Sequence, residues 1–594
     1  MYKLFLCLRY LRSKVFAYFA VLGVALCVWM MLVSVSVMTG FLNKIELAAK
    51  GLFGDIIIEG RGERGLAWYD EFIAKMKREV PEVEAAGPFI LGLGILRVEN
   101  DRNFRQHVQI AGIRLPGRAE MTDFETGLFV QAGNPAPTFD PPIAQAIAAI
   151  KKHRLEMRKI VQREFAKELA KLPEARQTAT IENLQMLRLT LGDKSLTPKQ
   201  RDLLYRIDNA VWLQNQALRH LELAQKKQGQ MSRLREQLRS AQAGAKTEAD
   251  KQIAADKIAA LQLQIDDLVD LTRLEPPADR VILGLGIPGL SFRTDIGETV
   301  RYLVPGHRVI LQVAPLGKAL QMTGVSLNSR KFTVIDDSRT DVSSIDSKLV
   351  YVPFETLQQL NNMQAEFDAD DPSIMLAPAC CNQIHIKVKG QPSEGDLRKI
   401  AGKIQGLWQE FARGYADKPT LLAPAIGDVS VDTWRQRQMA VVGPIEQQRT
   451  LVVIIMAIMS IVAVALVFVI LYTIVVQKTR EIGVLKALGA SGWGVAGLFF
   501  AYGAAIGLLG AIIGILAGYY TTKNINSIQD WADSMFGLRV WTRKSFMFEC
   551  IPNEVDWNMA CFIVAGAIAA GLVGALIPAI RAARMEPVEA LRYE

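Results

Sequence analysis

Residues Gln477–Tyr520 read QKTREIGVLKALGASGWGVAGLFFAYGAAIGLLGAIIGILAGYY: a charged, helix-prone piece, a Gly/Ser break, then a long glycine-studded apolar run. The run Val495–Tyr520 carries no charge and exceeds the ~20 residues that cross ~30 Å of hydrocarbon at 1.5 Å per residue. In front of it, Thr479–Ala490 places Ile482, Leu485 and Leu488 three apart, with Arg480, Glu481 and Lys486 polar. That pattern suits a short amphipathic helix at the bilayer surface, ended by the cluster Gly489, Ser491 and Gly492. A mere turn between spans needs no such ordered apolar face, and one side of this helix is available to dock a partner.

Outward from this stretch, three more uncharged runs reach spanning length: residues 15–38, 451–476 and 558–580. The expected fold is therefore a helical membrane bundle of four spans, one followed by three, with a large polar segment between the first two. Lys3, Arg9, Arg12 and Lys14 precede the first run like the n-region of a signal peptide. Its apolar core is too long for an h-region and no A-x-A site follows, so an uncleaved span is expected. With residues 1–14 cytoplasmic, residues 477–494 and 581–594 are cytoplasmic too. Lys478, Arg480, Lys486, Arg581, Arg584 and Arg592 then lie inside, as lysine and arginine bias in short loops requires. Residues 39–450 and 521–557 are placed outside the cytoplasm.

The large external segment has two textures. Phe53–Gly60, Ile95–Glu99, His107–Ile113, Arg308–Val313, Phe332–Ile335, Leu349–Val352 and Gln383–Val388 are β-branched-rich and bounded by turn residues, so they read as strands. Tyr69–Val80, Glu355–Met363 and Glu394–Phe411 read as helices between them, giving a mixed α/β domain built from residues 39–141 and 276–450. Residues 142–275 are different, rich in Lys, Arg, Glu, Gln, Ala and Leu. Met231, Leu234, Leu238, Ala241 and Ala245 step by three and four, as do Ile258, Leu261, Ile265 and Leu268. Thr197 and Pro198 make an N-cap and N1 pair, Ala243–Gly244–Ala245 marks an interruption, and Glu275–Pro276–Pro277 stops the last helix. The insertion is either a coiled-coil-like arm or a helical subdomain on its own core; periodicity leaves both open.

The spans are built to pack. Gly503, Gly507 and Ala511 recur every fourth residue, as do Gly510, Gly514 and Gly518, and Gly566, Ala570 and Gly574 in the last span. Small residues on one stripe let helix backbones approach closely in lipid. None of the four spans contains an ionisable Asp, Glu, Lys or Arg, which removes the usual handle of proton- or ion-coupled transport. No G-x-x-x-x-G-K-[ST] loop occurs, and Gly284–Gly289 lacks its lysine, so any work the protein does is expected to draw its energy from another chain. The net charge of +9 is scattered and carries no nucleic-acid motif. Six cysteines and five dispersed histidines offer no zinc pattern, and the state of Cys380, Cys381 and Cys550 stays open. Acidic runs such as Asp336–Asp337 and Asp368–Asp371 have no histidine near them in sequence and read as solvated turns rather than an enzyme's metal ligands.

Leu8–Lys14 (LRYLRSK), Ser36–Phe41 (SVMTGF), Lys478–Ser491 (KTREIGVLKALGAS) and Pro578–Glu594 (PAIRAARMEPVEALRYE), in this order around four spans, carry a resemblance. The chain resembles the FtsX-like and MacB-like ABC transporter permeases, and within them the lipoprotein-releasing LolC/LolE type. Phe332–Val352 and Trp434 before Glu446 look like the family's external domain. The resemblance implies a non-catalytic inner-membrane permease with a periplasmic domain, paired with a second copy or a paralogue. ATP and Mg would be bound by a separate P-loop ATPase, and this chain would hold no cofactor or metal. The resemblance also implies that Thr479, Arg480, Glu481, Ile482, Leu485, Lys486, Leu488 and Gly489 form the helix that couples to that ATPase by mechanotransmission. Arg480, Glu481 and Lys486 would make polar contacts, and Ile482, Leu485 and Leu488 would seat it. The first and second spans would face a lipidated or amphiphilic substrate. Insertion 142–275 departs from the family and points to a periplasmic carrier or envelope partner. An alternative is an FtsX-like signalling scaffold that pulls on such a partner without transport.

Overall fold

The computed structural model describes the chain except residues 1–14, 61–64, 100, 102, 123, 185, 186, 192–195, 244–257, 263, 265–278, 295–297, 316–326, 341, 391, 416–428, 537–550, 552, 556, 587, 589 and 591–594. The expectations for the basic N-terminal residues, Gly244, Ala245, Ile265, Leu268, Glu275–Pro277, Cys550 and Arg592 lie outside the described residues. In chain order the principal helices are α1 (Val15–Phe53), α2 (Ile143–Glu164), α3 (Pro198–Ala243), α4 (Met439–Gln477), α5 (Thr479–Ala487), α6 (Gly492–Lys523), α7 (Ile525–Phe536) and α8 (Trp557–Arg584). The described chain falls into two compact units, one of residues 1–47 with 438–594 and one of residues 48–437.

In the first unit, α1, α4, α6 and α8 are long and apolar enough to cross a membrane. The helices overrun the apolar runs: α1 continues without a break past Met38 to Phe53, and α4 begins at Met439. Backbone hydrogen bonding propagates a helix through polar residues once it is nucleated, so hydropathy marks the part in lipid and not the end of the helix. Ala20, Val24, Val28, Val467, Leu471 and Ile506 lie in the bundle core. Many outward side chains, Ile461 and Leu516 among them, are exposed in the chain alone, as lipid-facing positions are.

The second unit is built on a nine-stranded mixed sheet. Its spatial order is Val429–Thr433, Ile56–Gly60, Gln383–Val388, Val83–Val98, Arg105–Ile113, Leu349–Pro353, Asp279–Gly284, Asn328–Ser338 and Arg308–Val313. The long strand Val83–Val98 pairs first with Gln383–Val388 and then, from Gly94, with Arg308–Val313, which closes the last six strands into a ring. Gly94 sits at that closure: a Cβ there would lie 2.6 Å from the Gln312 carbonyl oxygen. Phe89, Ile113, Ile282, Ile335 and Tyr351 fill one core of this unit. Helix Glu394–Arg413 starts at the Ser393 cap, whose side chain accepts from the Asp396 N–H, and buries Leu397, Ile404 and Trp408. Trp408 meets Phe72 of helix Tyr69–Glu79 edge-on at 4.7 Å between ring centroids. A buried Arg118 donates to Nδ1 of His385 at 2.8 Å, and burial pushes His385 well below its usual pKa, keeping that nitrogen an acceptor.

The described part of the insertion is a helical subdomain with its own core. Met157, Ile160 and Phe165 on one side meet Leu204, Ile207 and Val211 of α3, with Val300 of the strand pair Ser291–Arg293 and Thr299–Arg301. Thr197 and Gln200 form a reciprocal capping box at the start of α3. Beyond His220 most α3 side chains are exposed, while Met231, Leu234 and Leu238 are half-covered. Leu261, in the short helical piece 258–262, is buried.

A buried polar joint ties this subdomain to the sheet. Arg301 donates from Nε to Asp337 at 2.6 Å and lies over the Phe129 ring at 4.0 Å. His153 of α2, held neutral by burial, accepts the Arg301 backbone N–H at Nε2. Asp336 accepts from the backbone N–H groups of Phe129, Val130 and Gln131. Burial, and then the Asp337 carboxylate, push Asp336 up to about 7. Asp336 and Asp337 are thus neither solvated turn residues nor free ligands: the strand Asn328–Ser338 carries both into the interior.

Candidate functional site

One end of the bundle is organised around α5. Helix α4 stops at Gln477, a single residue, Lys478, breaks the helical path, and Thr479 Oγ1 donates back to the Val476 carbonyl at 2.8 Å. At the other end Gly489 adopts φ +97°, which only glycine does without strain, so the helix closes at Ala487 and not at Ala490. Ser491 then caps α6 by accepting the Gly494 N–H at 3.1 Å.

The two faces of α5 have different duties. Ile482 is buried with Val475, Val495, Phe499, Ala579 and Ala582. Lys486 donates from Nζ to the carbonyl oxygens of Ala583 at 2.8 Å and Met585 at 2.5 Å, satisfying acceptors at the C-terminal end of α8. Leu485 is half-buried, Arg480 and Glu481 are exposed with Glu481 joined to Lys478, and Leu488 is 81% exposed. Residues three apart on a helix drift by roughly 60° per step at 3.6 residues per turn. Ile482, Leu485 and Leu488 therefore do not form one seating face: the first holds α5 to its own bundle and the last points away. Lys486 likewise is occupied within the chain. The outward face consists of Arg480, Glu481, Val484 and Leu488, and Trp493, near the start of α6, is 88% exposed. Val484 and Trp493 escaped the sequence reading; the signal was the four-step series Arg480, Val484, Leu488.

Helix α6 carries two small-residue stripes, each with a different neighbour. A Cβ on Gly503 would lie 2.5 Å from the Gly571 carbonyl oxygen, and one on Gly507 would lie 2.7 Å from that of Ala567, so this stripe abuts α8. Gly510, Gly514 and Gly518 meet Val24, Ala25 and Leu32 of α1. Close backbone approach of this kind leaves no room for a side chain. In α8, Gly574 abuts the Val464 carbonyl oxygen of α4 at 2.8 Å from an added Cβ, whereas Gly566 has nothing within 4 Å. Towards α6 the contact stripe of α8 is Ala567, Gly571 and Ala575, one residue on from the Gly566–Ala570 spacing.

Gly566 and Ala570 instead line a groove of about 370 Å³ between α1, α4 and α8. Its walls include Met31 and Met38 of α1, Val453 and Met456 of α4, and Phe562 of α8, with Thr39 and Ser460 as hydroxyl groups. Methionine and small side chains give an adaptable apolar surface. Both the first and second spans contribute to it. Among the described residues no group of three or more His, Cys, Asp or Glu side chains is placed to hold a metal ion.

Residues 453–587 match the FtsX-like permease C-terminal family. The lipoprotein-releasing system transmembrane protein LolC of Xylella fastidiosa strain 9a5c is 22% identical over 340 residues, 57% of this chain and 70% of its own length. LolC of strain Temecula1 is 32% identical over 121 residues, 20% of this chain and 29% of its own length. LolC of Neisseria meningitidis serogroup B is 27% identical over 203 residues, 33% of this chain and 49% of its own length. The chain thus spans less than two thirds of two of these three relatives.

Proposed function

We propose, from the premise that this chain carries an FtsX-like permease domain, that it is the transmembrane subunit of an ABC transporter of the bacterial inner membrane. It works as a dimer with a second copy or a paralogue and draws energy from a separate P-loop ATPase that binds ATP and Mg. Its external domain is periplasmic, its termini are cytoplasmic, and its cargo is a lipidated or amphiphilic molecule; its LolC relatives are named as transmembrane proteins of a lipoprotein-releasing system.

The observation that carries this reading is the division of α5 into a locked inner face and an open outer one. Ile482 and Lys486 fix the helix rigidly to α6 and α8. Arg480, Val484, Leu488 and Glu481, the last paired with Lys478, face outward for the ATPase, and Trp493 near the start of α6 is exposed as well. A push on that face is passed to α8 through Lys486 and to the bundle core through Ile482. Helix α4 is 39 residues, roughly 60 Å at 1.5 Å per residue, longer than the hydrocarbon is thick. The groove between α1, α4 and α8 is of a size and polarity to take an acyl chain.

The test is co-purification from the native host. Wild-type protein brings down ATP hydrolysis; Leu488→Asp with Trp493→Asp loses it while the purified permease keeps its thermal midpoint. Undiminished ATPase recovery with the double variant ends the docking assignment. A second reading, a signalling scaffold, is favoured by the exposed far half of α3, which suits a reach towards an envelope partner. Depletion separates the two: lipoproteins retained in the inner membrane support transport, and a cell-wall defect with normal lipoprotein sorting supports signalling.

A further inference from the structure

Helix α7, INSIQDWADSMF, begins two residues after α6 ends at Lys523. At 100° per residue Ile525, Ile528, Trp531, Ala532, Met535 and Phe536 fall within an arc of about 140°, while Asn526, Gln529, Asp530 and Asp533 occupy the opposite side. On the polar side Asn526 is tied to the chain. Asn526 donates from Nδ2 to the Ile551 carbonyl at 3.0 Å and accepts the Ile551 N–H at 2.9 Å, and Ile551 itself is buried. The apolar side is left open: Ile528, Trp531, Met535 and Phe536 are 40%, 55%, 66% and 63% exposed. A helix packed on a protein in water buries its apolar face and solvates the other. Here the apolar face is the more exposed of the two, as it is when the medium it meets is apolar.

The surroundings identify that medium. Tyr519 of α6 lies 5.8 Å from Trp557, the first residue of α8, between ring centroids, and the Lys523 ammonium sits 5.7 Å over the Tyr519 ring. Tyr520 and Trp557 are exposed. Tyrosine and tryptophan with lysine at the end of a span mark the headgroup level of a bilayer. Helix α7 follows directly on that level.

We propose that α7 lies in the plane of the bilayer interface at the end of the third span, with Ile528, Trp531, Met535 and Phe536 in the acyl region of the adjoining leaflet. The occupant of its open face is phospholipid, and the helix acts as a float that fixes the depth of α6 and of the neighbouring start of α8. The charged residues of α7 are Asp530 and Asp533, with no lysine or arginine, so apolar burial holds it and attraction to anionic lipid does not. The inference holds for whichever leaflet α7 meets and stands apart from the transporter reading.

The experiment uses the full chain in phosphatidylcholine nanodiscs, with the photo-crosslinker p-benzoylphenylalanine placed singly at Ile528, Asp530 or Met535, and intact-mass readout of the adducts. Positions 528 and 535 are expected to give phospholipid adducts at least five-fold more often than position 530, with the ratio unchanged when phosphatidylglycerol is added. Crosslinks from position 535 to a second polypeptide, which would mean that protein covers the face, overturn the proposal. Equal lipid yields at 530 and 535, or yields that rise with phosphatidylglycerol, overturn it as well. Loss of ATPase association in these variants bears on the permease reading and leaves this one to the adduct masses.

Discussion

Lys486 Nζ donates to the Ala583 carbonyl oxygen at 2.8 Å, joining the short helix α5 to the end of α8 across 97 residues of chain. A lysine at a helix C-terminus meets carbonyls that have no partner within their own helix. The bond makes α5 part of the bundle and commits two of the three Lys486 N–H groups to the chain itself.

Replacing that lysine therefore loosens α5 without touching its outer face. Lys486→Met is expected to cost about 1.5–3 kcal/mol, the range for hydrogen bonds to a charged group. Hydrogen exchange in residues 479–487 should accelerate, and Lys486→Arg should restore part of the protection. Unchanged exchange in the methionine variant would show that Ile482 alone holds the helix.

The two ends of the expected apolar face should behave oppositely. Ile482→Asp buries a carboxylate among Val475, Phe499 and Ala582 and should abolish recovery of folded protein in detergent. Leu488→Asp, at an 81% exposed site, should leave size-exclusion behaviour and thermal midpoint within error of wild type. Similar losses for both would refute the assigned orientation of α5.

Among glycines the same contrast applies. An added Cβ at Gly571 would lie 2.3 Å from the Gly503 carbonyl oxygen, so Gly571→Val should separate α6 from α8 and destabilise the bundle by about 1–3 kcal/mol or more. Gly566→Val meets open space within the chain and should be neutral for thermal stability in detergent. It should nevertheless narrow the groove, so weaker labelling by a photoactivatable fatty acid is the expected second effect.

Asp336 gives the second unit a pH dependence of unusual sign. Its pKa rises from 3.8 to about 7 on folding, so between those values the folded state holds a proton that the unfolded state has released. Its contribution to stability is greatest near pH 4 and is lost as the pH climbs to 7. Asp336→Asn carries no titrating group; the difference in thermal midpoint, wild type minus variant, should fall as the pH is raised across this window. A flat difference would mean that Asp336 is ionised throughout.

Four apolar helices were legible in the chain because a stretch of uncharged residues is a one-dimensional quantity. The α/β texture of the second unit was legible for a similar reason: strands such as Arg308–Val313 and Gln383–Val388 follow from β-branched residues between turn residues. The split face of α5 was not, since spacing alone gives Ile482 and Leu488 the same apolar label. Nor were the burial of Asp336 and Asp337 and the matching of Gly571 to Gly503, each of which needs a partner more than 30 residues away in the chain. The polarity of α7 was readable from its residues, yet its inverted packing depends on Asn526 meeting Ile551.

The sequence by itself determined how many helices could enter lipid, that the segment between the first two would fold as strands and helices, and that a short amphipathic helix would precede the third span. Local interactions and side-chain periodicity suffice for each. Tertiary structure alone decided which side of a helix is spent on its own protein and which is left for a partner, a lipid or a ligand. That choice is made by contacts between distant segments competing for the same surface, and no single stretch of residues contains both competitors.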